Sequence, residues 1–125
     1  MKKIISTDKA PKAVGPYSQA IVKNNMIFLS GQIPINPATG KIIDGGIKEQ
    51  TKQVLINIEN TLNEANFNLD DIVKTTVYIT DLSNFKDMNE IYATFFTNNP
   101  PARSTVQVSA LPLNAMIEIE VIAIK

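Results

Sequence analysis

Two residue types that carry much of enzyme chemistry are missing from this chain of 125 residues: it has no cysteine and no histidine. Without cysteine there is no disulfide, no thiolate nucleophile and no thiolate-held zinc or iron–sulfur centre. Without histidine there is no Ser-His-Asp triad and no imidazole metal ligand. The two absences together exclude a zinc deaminase of the His/Cys type. Chemistry falls to Arg, Lys, Glu, Asp, Tyr, Ser, Thr, backbone groups and water. An excess of one charge is lacking too, since 12 Lys and Arg balance 12 Asp and Glu. The chain therefore has no basic field to draw nucleic acid and no basic amphipathic arm for a membrane surface. No apolar run reaches the roughly 18 residues of a transmembrane helix. Met1–Asp8 carries lysines with no apolar stretch behind them, so no secretory signal is expected and the expected location is cytoplasmic.

What is present reads as one domain spanning residues 1–125. Apolar residues make up 44% of the chain and charged residues 19%. A chain of this length buries roughly two-thirds of its unfolded surface and needs no staple. The low charge hints at faces covered by oligomerisation. Tyr17–Lys23, the pair Asn24-Asn25 and Met26–Ser30 predict a hairpin, because Asn tolerates left-handed φ in a tight turn. Pro37-Ala38-Thr39-Gly40 predicts a second turn. From Ile47 to Ala65 the apolar spacing is helical, with Val54, Leu55, Ile58, Leu62 and Ala65 on one stripe and Asn66 as a left-handed stop.

Ile72–Ile79 alternates, with Val73, Thr75, Val77 and Ile79 on one face. Asp81 and Ser83 offer N-caps for a second helix, whose buried stripe is Met88, Ile91, Tyr92 and Phe95 and which Pro100-Pro101 stops. Arg103–Val108 and Met116–Ile124 predict two closing strands. In the last, Ile117, Ile119, Val121 and Ala123 share one face, and Glu118, Glu120, Ile122 and Ile124 the other. The order β-β-α-β-α-β-β, with a possible short strand in Met1–Thr7, implies an α+β fold: a mixed sheet with two helices on one face. Both faces of the last strand are aliphatic, so a partner subunit is the simple cover for the second face.

Several residues stand out chemically, although each alone also has an ordinary structural explanation. Arg103, in Pro-Pro-Ala-Arg-Ser-Thr, offers a planar fork for a carboxylate, or is a surface residue at a strand start. Glu118 and Glu120 are carboxylates among aliphatic neighbours, where a raised pKa would suit acid–base work on water; solvation at a strand end is the plainer reading. Ser30 has no histidine to activate it, and Gly31 beside it permits close backbone approach. Gly15-Pro16-Tyr17 reads as a turn with a packed aromatic. Asn89 reads as a helix-surface residue.

Taken together, these residues form a pattern. Ala-Pro-Lys-Ala-Val-Gly-Pro-Tyr-Ser-Gln-Ala (10–20), Ser-Gly-Gln-Ile-Pro (30–34), Asp-Ile-Val-Lys-Thr-Thr-Val-Tyr-Ile (71–79), Pro-Pro-Ala-Arg-Ser (100–104), Leu-Pro (111–112) and Ile-Glu-Ile-Glu (117–120) occur in this order over nearly the whole chain. The chain strongly resembles the Rid family (reactive intermediate/imine deaminases, formerly the YjgF family), its RidA branch most closely. The resemblance implies a chorismate-mutase-like α+β domain, a homotrimer with clefts between subunits, and no metal or cofactor. It also implies hydrolysis of 2-imino acids such as 2-iminopropanoate and 2-iminobutanoate to 2-oxo acids and ammonia, protecting against reactive enamines and imines. By the same resemblance Arg103 binds the substrate carboxylate and Glu118 positions or activates water. Tyr17, Ser30, Gly31, Asn89 and Thr105 line the cleft. Thr105 stands where many members have cysteine, and Gln107, Ala110 and Leu113 stand where Glu, Arg and Lys are common. Those departures keep a second reading open, a 2-oxo acid binding protein without turnover. A ribonuclease, an activity attributed to some relatives, is disfavoured by the balanced charge and the missing histidine.

Overall fold

The apolar spacing that begins at Ile47 forms a helix, α1 (Ile47–Glu64), in the computed structural model, which describes residues 1–125. Val54, Leu55, Ile58 and Leu62 are fully buried along its inner stripe. Each contributes about 1.5–3 kcal/mol of apolar burial. Ala65 is the C-cap and only half-buried. Asn66 takes the expected left-handed φ, at 63°. Phe67 N then donates to Leu62 O at 3.0 Å, and the buried Phe67 ring closes the stripe. This is how a left-handed residue after a helix satisfies its last carbonyls.

The strands, in chain order, are β1 (Lys3–Ile5), β2 (Ala20–Lys23), β3 (Met26–Gln32), β4 (Ile35–Asn36), β5 (Lys41–Ile42), β6 (Ile72–Ile79), β7 (Ala102–Gln107) and β8 (Ile117–Ile124). Six form one sheet in the order β1-β2-β3-β8-β6-β7, while β4 and β5 pair separately around the turn in which Gly40 has φ 73°. Only β6 and β7 are parallel, and the second helix, α2 (Phe85–Phe95), makes the crossover between them. The short strand anticipated near the N-terminus is β1. The β2–β3 hairpin turns at Asn24, whose φ is 56°. It begins at Ala20 rather than Tyr17, because Tyr17 N donates to Gly15 O at 2.9 Å in a tight turn that keeps Tyr17 out of the ladder.

Other local expectations change as well. A register shift between Ile72 and Lys74 leaves Val73 unpaired and exposed, and Ile72 takes its place on the buried face. Asp81 caps a short 3₁₀ turn at Leu82–Asn84, accepting from Ser83 N at 2.9 Å; Ser83 lies inside that turn and caps nothing. Of the stripe expected on α2, Met88 and Tyr92 are buried, while Ile91 and Phe95 are half-covered.

Both helices lie on one face of the mixed α+β sheet, over Ile27, Leu29, Val77, Ile79, Ile117, Ile119, Val121 and Ala123. On the opposite face, the register aligns Ile4, Ile21, Phe28 and Ile122 in a row across β1, β2, β3 and β8. No helix covers this row, and Ile4 and Phe28 are 63% and 42% exposed. The two faces of the sheet carry the two parts of the candidate site.

Candidate functional site

On the open face, Tyr17, Ser30, Gly31 and Glu118 line one cleft of about 570 Å³, together with Lys12, Gln19, Ile33 and Leu113. The loop carrying Tyr17 is fixed by the buried Gln19 amide. Its Oε1 accepts from Thr7 N at 2.7 Å, and its Nε2 donates to Thr7 O at 3.0 Å and Pro11 O at 2.7 Å. Ser30 Oγ donates to Ser18 O at 2.6 Å, so its hydroxyl proton is committed to the same loop. Tyr17 is 51% exposed, so its ring is displayed to the cleft rather than packed as its turn suggested. α1 holds two backbone segments that border the cleft: Asn57 Nδ2 donates to Ile35 O at 2.9 Å, and Gln50 Oε1 accepts from Met116 N, just after the 112–114 turn, at 2.8 Å.

Gly31 lies directly under Glu118. A Cβ at Gly31 would come 2.7 Å from Glu118 Cδ and 3.1 Å from Cγ, and closer still to Oε2. Only a glycine leaves the carboxyl this space. Glu118 accepts no hydrogen bond within the chain. Burial, and secondarily the nearby charge of Glu120, hold its carboxyl above the usual carboxylate range. A carboxyl of this kind can take a proton from water and return it nearer neutral pH than an ordinary glutamate.

Arg103 points to the other side. It pairs with Thr75 in β6 and ends a row, Ile5, Ala20, Leu29, Val121 and Thr75, that faces the helices. Arg103 Nη1 donates to Asn89 Oδ1 on α2 at 2.8 Å. Its guanidinium carbon lies 4.7 Å from the Tyr92 ring centroid and 5.5 Å from that of Phe85. Such stacking orients an arginine while leaving its remaining N–H groups free. Tyr92 is fixed in turn by a 2.8 Å hydrogen bond with Thr75 Oγ1. Thr105, two residues along β7, has a buried hydroxyl with no partner. The sequence pointed to Asn89 only through family resemblance and did not single out the aromatic floor, since Phe85 and Tyr92 meet Arg103 only through the α2 crossover.

The predicted residues thus form two groups, Arg103, Asn89 and Thr105 in one and Tyr17, Ser30, Gly31 and Glu118 in the other. One chain does not bring them together. The register sets Glu118 level with Tyr78 and Val106, three residues along β7 from Arg103 and on the opposite face of the sheet. No group of three or more Asp and Glu side chains is placed to hold a metal ion.

A family model described as Endoribonuclease L-PSP matches residues 7–125. The chain belongs to this family, the YjgF/Rid group that its motifs resemble. Among its Rid relatives, Reactive Intermediate Deaminase A, chloroplastic, of Arabidopsis thaliana is 52% identical over 98% of this chain and 65% of its own length. The 2-iminobutanoate/2-iminopropanoate deaminase of Mus musculus is 44% identical over 100% of this chain and 93% of its own. A solved Rid family protein from Yersinia pestis superimposes with a TM-score of 0.97 at 52% identity, covering 100% of both chains. The departures of this Rid chain fall in different places. Gln107 Oε1 accepts from Leu82 N at 2.9 Å, tying β7 to the turn before α2. Leu113 sits on the cleft rim, 64% exposed and at a left-handed φ of 57°. No helix of the chain is long and apolar enough to cross a membrane.

Proposed function

We propose that this Rid chain is an imine deaminase that hydrolyses small 2-imino acids, such as 2-iminopropanoate and 2-iminobutanoate, at a site shared between copies of itself. The observation that carries the reading is the division of the site. A stacked, half-satisfied Arg103 lies on one face of the sheet and an unpartnered Glu118 on the other. Each is half of a site for a small anion attacked by water. A ring of copies in which each offers its Arg103 side to the next copy's Glu118 cleft makes the site whole, and the apolar row Ile4, Ile21, Phe28 and Ile122 is covered by the same assembly. Membership in the Rid family and the deaminase names of its relatives support the reaction, and the family resemblance of its motifs implies a homotrimer as that ring.

In this reading the free N–H groups of Arg103 grip the substrate carboxylate as a fork. Tyr17, Ser30, Gly31 and Thr105 shape the walls around it. Glu118 takes a proton from water as the oxygen bonds to the C=N carbon, and passes a proton to the nitrogen. Glu118 then takes the hydroxyl proton of the resulting carbinolamine and delivers it to the amino nitrogen as the C–N bond breaks, releasing ammonia and the 2-oxo acid. Fixing the imine beside its water removes most of the entropic barrier of the encounter. General acid–base help of this type contributes about 10²–10⁴-fold.

The test uses mixed assemblies. Arg103→Ala and Glu118→Ala chains, each shown by light scattering to assemble, are expected to lose imine turnover, followed as ammonia released behind a threonine dehydratase. Co-assembled in equal amounts, they are expected to recover about a quarter of wild-type activity, because that share of contacts in a mixed ring joins an intact Arg103 to an intact Glu118. Ligand binding without turnover in the wild type would favour a 2-oxo acid sensor instead. No recovery on mixing would end the shared-site reading.

A further inference from the structure

Glu118 has a neighbour whose role its own chemistry does not explain. Glu120 lies two residues along β8 on the same open face, near enough for its charge to act on Glu118. Two carboxylates placed so closely compete for the same work. Tyr78 on β6 breaks the tie. It pairs directly across from Glu118, yet its hydroxyl reaches diagonally and donates to Glu120 Oε1 at 2.8 Å. That contact pins one carboxylate and withholds from the other the donor closest to it in the register. We propose that Tyr78 and Glu120 are positioning residues: Tyr78 holds Glu120 as a fixed negative charge beside Glu118, which leaves Glu118 as the free, proton-accepting carboxyl of the cleft. The inference rests on Glu118 as the proton carrier proposed above.

The remaining groups around Glu118 are few. On β3 it meets Ser30 and Gly31, neither of which titrates near neutral pH. Lys12 and Tyr17 line the same cleft from the N-terminal loop, and the 112–114 turn brings no charge. Lys74 shares the open face of β6, but its Nζ is engaged with Ser104 Oγ at 3.1 Å. In the assembled ring, a second copy's Arg103 adds the same positive charge to every variant. The difference between wild type and Glu120→Gln therefore isolates Glu120. The upward displacement of Glu118, caused first by burial and then by the Glu120 charge, agrees with this arrangement. The Tyr78 phenol is also raised, first by its hydrogen bond to Glu120.

The experiment titrates Glu118 directly in the assembled protein, by ¹³C-carboxyl NMR with Glu118→Gln assigning the signal, in wild type, Glu120→Gln and Tyr78→Phe. The Glu118 midpoint is expected to fall in Glu120→Gln. In Tyr78→Phe it falls part of the way, because the released carboxylate is no longer held in one position beside Glu118. The acid limb of the kcat profile for imine hydrolysis is expected to move in the same direction, with KM changed less than kcat. An unchanged Glu118 midpoint in Glu120→Gln overturns the proposal. A midpoint that moves in Glu120→Gln but not in Tyr78→Phe removes Tyr78 from it. If the midpoint moves as expected while the wild type turns over no imine, the coupling stands and the deaminase reading falls.

Discussion

The two halves of the candidate site are built to opposite rules. The Arg103 half is braced: one nitrogen is tied to Asn89, the guanidinium is stacked against Tyr92 and Phe85, and Tyr92 is tied to Thr75. The Glu118 half is withheld: its carboxyl accepts nothing, lies over a glycine, and burial disfavours its charged form. The difference teaches where each group's work is done. A group that binds an anion gains from being rigid before the anion arrives. A group that moves a proton gains from having its two protonation states close in energy. Within one chain the sheet separates the two, so neither spoils the other.

The comparison breaks most sharply at Gly31. An alanine there drives its Cβ into the Glu118 carboxyl. Gly31→Ala is expected to lower kcat about 10²-fold, as a displacement near 1 Å can, while light scattering still reports an intact assembly. Normal kcat in this variant would show that the position of Glu118 does not matter. Asn89→Ala tests the rigid half. Losing a hydrogen bond to a charged group should raise KM for the imine about tenfold. An effect of Asn89→Ala confined to kcat would contradict a binding role for Arg103.

The smallest effect concerns stability. The folded pKa of Glu118 lies above its unfolded value of about 4.3. Its contribution to stability is therefore present below the unfolded pKa and is lost as pH rises through the folded pKa. Glu118→Gln should then raise Tm at pH 7, with the gain vanishing toward pH 4. The gain should be larger in an Arg103→Ala background, because a neighbouring copy's Arg103 would otherwise offset the buried charge. Equal gains in both backgrounds, read by thermal unfolding at several pH values, would mean that the halves never meet.

Much of the fold was legible in local pattern. The α1 stripe, the Asn66 stop and the two faces of β8 follow from spacings of 3.6 and 2 residues, which are properties of the backbone itself. Val73 escaped that reading because a bulge is decided by the partner strand, and here β8 offers Ala123 and Ile122 to Ile72 and Lys74 with nothing left for Val73. The extra β4–β5 ribbon escaped because two residues are too few to show a period. Of the candidate site, Tyr17, Ser30, Gly31, Asn89, Thr105, Arg103 and Glu118 came from motif resemblance; the residues read singly offered Arg103 and the Glu118/Glu120 pair only as candidates, each with an ordinary structural explanation.

By itself the sequence determined most of the longer elements, the family and the kinds of atom available for chemistry, because periodicity and the absence of Cys and His are local or compositional facts. Only the tertiary structure decided that Arg103 and Glu118 lie on opposite faces, that Phe85 and Tyr92 floor the arginine, that Gly31 makes room for Glu118 and that Tyr78 takes Glu120. Each of these is a contact between segments far apart in the chain. Strand order, register and the path of a crossover helix set such contacts, and no window of neighbouring residues encodes them.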